Sequence, residues 1–174
     1  MPHTFVPPPA SWSFELPDNL KLKIADAITL FSRIDSNIVE ARWAAEGADY
    51  ERKKAIARKP AVDNIEALKG MVAAMGLEVA STPRIWEAFD QLKWDRNLIA
   101  HGVWMIDDEG VPWVVWHSKF LEDDNNVVGE MFDHARFDRM LAIARHLQET
   151  TVKFLGMVQK IEDEMKKRGS TTDA

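Results

Sequence analysis

Cysteine is absent from this 174-residue chain, which removes disulfide cross-links, thiolate nucleophiles and cysteine-ligated zinc from its repertoire. The absence suits a reducing compartment. No window approaches the roughly 18 apolar residues that a helix needs to span a bilayer, and the first residues lack a basic segment followed by a long apolar run. A soluble, cytoplasmic protein with no membrane partner is expected. Positive charge is also in short supply: 22 Lys and Arg against 28 Asp and Glu leave a formal charge of −6. Indiscriminate coating of nucleic acid is therefore disfavoured, because such affinity comes mainly from basic side chains neutralising phosphates. A local basic site is still allowed. Neither a glycine-rich phosphate loop nor a helical metal-binding histidine pair is visible, and no repeat recurs at solenoid spacing. No metal and no cofactor is expected.

Apolar residues make up 46% of the chain, enough for a substantial core in one domain. The boundaries expected are an extended arm over residues 1–17, a single helical domain over 18–168 and a disordered polar tail over 169–174. Pro7, Pro8 and Pro9 exclude a regular helix or central strand from the arm, and Trp12 and Phe14 can tack it to the body. Pro17 and Asp18 open the first long helix, where Leu20, Ile24, Ile28, Phe31, Ile34, Ile38, Ala41 and Ala45 trace one face up to Gly47. A second helical region spans Tyr50 to Met75. Pro60 removes an amide donor there and disfavours helical geometry at Lys59, so either one kinked helix or two helices fit the pattern. Val62, Ile65, Leu68, Val72 and Met75 share a face, and Gly76 is the natural stop.

Thr82 and Pro83 supply a capping hydroxyl and a first-turn proline for a further helix that ends at Gly102. Val103 to Ile106 and Trp113 to His117 are β-prone runs flanking Asp107-Asp108-Glu109-Gly110, which predicts a hairpin with a loop of four to six residues and Pro112 near an edge. Glu122 to Asn126 reads as an exposed loop. Asp133 can cap the last helix, whose stripe of Phe137, Leu141, Ala144, Leu147, Thr151, Phe154, Val158, Ile161 and Met165 is the longest periodic signal. The fold class expected is mainly α, an up-and-down bundle of four or five helices with a small β-hairpin after the third main helix.

The densest chemistry lies at Lys93-Trp94-Asp95-Arg96-Asn97-Leu98-Ile99-Ala100-His101-Gly102. Ile85, Phe89, Leu92, Arg96 and Ile99 keep helical spacing, which sets Arg96 into or beside an apolar stripe, where a cation needs a partner. Asp35 or Glu40 of the first helix is a candidate. The sequence Arg96-Asn97-x-x-x-His101 resembles the motif of the HEPN superfamily, and the context of amphipathic helix, Gly102-Val103-Trp104, hairpin and long final helix extends the likeness over roughly Asp18 to Lys167. The resemblance implies a small helical bundle that works as a dimer. It implies either a metal-independent endoribonuclease, in a toxin-antitoxin or phage-defence setting with an antitoxin as partner, or a relative without catalysis that binds nucleotide, RNA or an antitoxin partner.

In that reading Arg96 and His101 are catalytic and Asn97 supports them. Imidazole titrates near neutrality and can take a proton from a ribose 2′-hydroxyl or give one to the leaving 5′-oxygen; a permanently charged planar guanidinium suits the scissile phosphate. Asn97 and His101, four apart, share a helical face, whereas Arg96 and His101 are separated by about 140°. Convergence then requires a wrapping arginine, a helix loosened before Gly102, or a second copy across a dimer axis; the family likeness favours the last. Arg52, Lys53 and Lys54 offer a basic surface for an RNA backbone, and Trp104, among Trp94, Trp113 and Trp116, offers a stacking ring. His117 is a further candidate for a supporting contact. The bland alternatives are a solvated charge run, tryptophans in core packing, and a motif that only locks a helix to the hairpin of a protein-interaction module.

Overall fold

Asp18 follows Pro17 at the head of α1 (Asp18–Ala45), whose first amides bond back to the Pro17 carbonyl, Leu20 at 3.0 Å and Lys21 at 3.1 Å. The computed structural model describes residues 11–74, 76, 82–117 and 127–170. Along α1, Leu20, Ala27, Phe31, Ile34, Ile38 and Ala41 are buried at three- and four-residue intervals, as a one-sided apolar stripe requires. Ile28 departs from the expected stripe and stands half exposed. Gly47 ends the run at φ +55°, with the Ala48 amide returning to the Trp43 carbonyl, a left-handed terminus that glycine adopts without steric penalty.

Tyr50 to Met75 is two helices, α2 (Tyr50–Ala57) and α3 (Ala61–Ala74), because Pro60 cannot continue the first ladder. Its carbonyl instead starts the second, accepting from Asp63 at 3.1 Å and Asn64 at 3.3 Å. Asp49 caps α2 through the Arg52 amide at 2.8 Å. Met75, Pro7 to Pro9 and the expected loop at Glu122 to Asn126 lie outside the described residues.

After α4 (Thr82–His101) the described residues form an antiparallel sheet in the order β1 (Trp12–Ser13), β2 (Val103–Asp107), β3 (Pro112–His117), β4 (Val127–Met131). Two of these strands, β1 and β4, were not legible in the chain. β1 is a two-residue edge that pairs Trp12 with Asp107 and Ser13 with Ile106. β4 sets Gly129, a weak strand former, opposite Val115. Between β2 and β3 the Asp107 carboxylate organises the turn: one oxygen accepts from the amides of Glu109 at 3.0 Å and Val111 at 2.8 Å, the other from the Trp113 indole at 2.9 Å. Gly110, at φ +79°, takes the left-handed position. Asp133 then caps α5 (His134–Ser170) through the Arg136 amide at 2.6 Å. The helix runs two residues into the expected tail; 171–174 lie outside the described residues. The protein is thus mainly helical with a small antiparallel sheet.

Two compact units divide the chain, Met1–Thr29 with Phe89–Ala144, and Leu30–Ala88 with Arg145–Ala174. In the first, Val114, Phe132, Phe137 and Met140 are sealed from solvent, and Trp104 stacks on Phe137 and meets Phe132 edge-on. In the second, Ile34, Ile38, Ile56, Leu68, Val72 and Leu147 form the core around a buried polar knot. There Arg42 donates to Glu46 at 2.6 Å and to Asn64 at 2.8 Å, while Asn64 donates to the carbonyls of Ile56 and Lys59, joining α1 to the corner between α2 and α3. No helix among the described residues is long and apolar enough to cross a membrane.

Candidate functional site at the end of α4

Gly102 lets α4 run straight into β2 at close quarters. A Cβ at this position would stand 2.0 Å from Val114 Cγ1 and 2.6 Å from the Leu98 carbonyl oxygen, so only hydrogen fits. The Gly102 amide closes the last helical turn on that same carbonyl at 2.8 Å, and α4 stays regular through His101. A helix loosened before Gly102 is therefore not how the motif side chains converge.

A regular helix holds Asn97 and His101 on one face, one turn apart, and both are exposed. They border a groove of about 780 Å³ in the first unit, with Phe14, Trp94, Leu98, Gly102, Val103, Met105 and Val115 as the other lining residues among those described. Val103 and Met105 alternate along β2 onto one face, and Val115 is the partner of Val103, so the strand register assembles that part of the lining. Arg96 is half-buried and does not line the groove. One copy of the helix thus brings Asn97 and His101 together and turns Arg96 elsewhere, as the 100° step per residue dictates.

The turn carrying the motif is clamped from α5. The Arg136 guanidinium donates to Asp95 Oδ1 from Nη2 at 2.6 Å and from Nε at 3.2 Å, and to Glu130 Oε1 from Nη1 at 2.8 Å. Nη1 also donates to the Met131 carbonyl at 3.0 Å, and the guanidinium lies 4.3 Å from the Phe132 ring centre. Burial works against the charge of Arg136, but the hydrogen bonds and charges of Asp95 and Glu130 outweigh it and hold the group above its ordinary value. Glu130 Oε2 accepts from the Trp94 indole at 2.7 Å, which sets the orientation of a ring bordering the groove.

The remaining candidates fall elsewhere. Trp104 is engaged with Phe132 and Phe137, and its indole nitrogen is buried, an arrangement that fits the core-packing alternative. Arg52, Lys53 and Lys54, with Asp35 and Glu40, belong to the second unit. Arg52 is paired with Glu46 at 2.5 Å and lifted above its ordinary value by that hydrogen bond first. Burial pushes Glu46 upward, yet Arg52 and Arg42 together leave it below the usual carboxylate range. Lys53 stands over the Trp43 ring, and Lys54 is exposed. The side chains of Trp116 and His117 lie outside the described ones. Among the described residues, no three His, Cys, Asp or Glu side chains are grouped to hold a metal ion.

Sequence reading missed the groove wall and the clamp. Phe14 sat in a segment read as an arm, and Glu130 in a strand whose central glycine masks it. Asp95 adjoins Arg96 but names no partner, since Arg136 is 41 positions away. No family model, curated protein or solved structure matches the chain.

Proposed function

We propose that this protein is a metal-independent endoribonuclease of the HEPN type, cytoplasmic, built as a HEPN-like bundle and acting as a homodimer in a toxin-antitoxin or phage-defence setting. The observation that supports it is the exposure of Asn97 and His101, side by side on the last turn of α4, at the lip of a groove open to solvent. His101 removes the proton from a ribose 2′-hydroxyl. The freed O2′ bonds to the adjacent phosphorus, the bond from phosphorus to O5′ breaks, and the departing O5′ takes a proton from an imidazolium. A 2′,3′-cyclic phosphate and a 5′-hydroxyl result. Arg96 neutralises charge on the phosphate oxygens, and Asn97 orients the ribose or the imidazole. Because Arg96 faces away from its own groove, the guanidinium at each site comes from a second copy in this reading.

That same position of Arg96 favours a second reading, a HEPN-like module that binds nucleotide or RNA, or an antitoxin partner, without cutting. Mixed RNA incubated in excess chelator with the parent, His101→Ala and Arg96→Ala decides between them. The nuclease reading expects cleavage by the parent and a loss of about 100-fold or more in either variant, the usual contribution of a positioned acid-base group. Binding without cleavage supports the module. A parent that neither binds nor cuts, with variants of lowered thermal stability, leaves the motif a purely structural lock between α4 and the sheet. A monomeric mass at micromolar concentration would count against the shared site.

A further inference from the structure

We infer that the groove beside His101 is a nucleobase subsite, holding the base of a single-stranded RNA nucleotide whose ribose lies at the imidazole; this rests on the ribonuclease reading above. Its lining combines two aromatic rings, Phe14 and Trp94, with the apolar side chains of Leu98, Val103, Met105 and Val115, one amide and one imidazole. Among the described residues that line it there is no carboxylate, lysine or arginine. A bare phosphate meets no permanent cation among these described residues, and an aliphatic chain makes no use of the donor and acceptor of Asn97. A flat, uncharged heterocycle satisfies both halves, stacking on the rings while its edge meets the donor and acceptor of Asn97.

The dimensions agree. Asn97 and His101 are separated by about 6 Å along the helix axis, a span that one nucleotide bridges from base edge to ribose. The volume of about 780 Å³ falls within the range of roughly 300–1,000 Å³ typical of small-molecule sites. Phe14 is 64% exposed, an aromatic face left in water that a base would cover. Trp94 needs no reorganisation, since Glu130 already fixes its indole. Phe14 is thus a base-binding residue, and Asn97 the residue that discriminates among bases.

The test uses short single-stranded oligomers lacking every 2′-hydroxyl, which cannot be cleaved, in base-bearing and abasic forms. Binding by the parent, Phe14→Ala and Asn97→Ala is followed by fluorescence anisotropy of an end label. Removing the bases is expected to weaken parent binding about 10-fold, the scale of one lost stacking contact, and Phe14→Ala should weaken the base-bearing oligomer by a similar factor and leave the abasic one unchanged. Asn97→Ala should flatten the ranking of the four homopolymers. Equal binding of base-bearing and abasic forms, or indifference to Phe14→Ala in a variant with parental circular dichroism, overturns the subsite. Cleavage is scored separately: base-dependent binding with no cleavage of all-ribose RNA keeps the subsite and removes the nuclease, whereas cleavage without base-dependent binding removes the subsite alone.

Discussion

Arg136 grips Asp95 through two guanidinium nitrogens, so the residue directly before Arg96 in the α4 motif is tied to the first turn of α5. Arg136→Ala would leave the Asp95 and Glu130 carboxylates facing each other's charge in a partly buried setting, and a loss of about 2–3 kcal/mol is expected. Urea unfolding measures it. Arg136→Lys should recover only part, because an ammonium cannot reproduce the forked contact.

Gly102→Ala forces a methyl group against Val114 and the Leu98 carbonyl. Overpacking of this kind costs about 1–3 kcal/mol or more, read as a lowered Tm. Adding Val114→Ala removes the side-chain clash and leaves the backbone one, so the double variant should regain little of the loss. A Gly102→Ala protein as stable as the parent would contradict the close approach of α4 to β3.

Asp107 predicts a pH dependence confined to acid. The Trp113 indole foremost, opposed by desolvation and aided by the amides of Val111 and Glu109, holds its carboxyl below the usual range. With the folded value beneath the unfolded one of about 3.9, the contribution is fully present above that value and fades as pH falls through the folded value. The Trp113 indole and Val111 amide resonances should follow that titration in nuclear magnetic resonance spectra. In Asp107→Asn they should not titrate there.

Trp104→Ala should behave as a core deletion, costing about 3–5 kcal/mol, because the ring is stacked with Phe137 and edge-on to Phe132. Phe14→Ala, in contrast, should leave thermal unfolding within about 0.5 kcal/mol of the parent, as an exposed side chain does. Chemical denaturation of the two side by side separates the aromatic that builds the fold from the one that faces solvent.

Much of the backbone plan was readable from neighbours in the chain. The stripes of α1 and α5, a kink or break at Pro60, the turns at Gly47, Gly76 and Gly110 and the cap at Asp133 all arise from spacing or from residues a few positions apart. Asn97 and His101 were likewise legible as a pair, since four residues on a helix always share a face. Their angular separation from Arg96 followed from the same geometry.

Three-dimensional packing alone settled the rest. Which side of α4 meets water, leaving Asn97 and His101 exposed and Arg96 half-buried, depends on what the helix packs against. Strands β1 and β4 pair with the edges that β2 and β3 offer; Trp12, Val127 and Val128 favour extended backbone, but two residues in one segment and Gly129 in the other leave no pattern that marks a strand in the chain. Trp104, within β2, turned inward, and Phe14, directly after β1, stayed outward, although both are aromatic. Local chemistry sets helix and turn because their hydrogen bonds close within a few residues; the groove and the Arg136 clamp join positions dozens of residues apart, and only the folded chain brings those together.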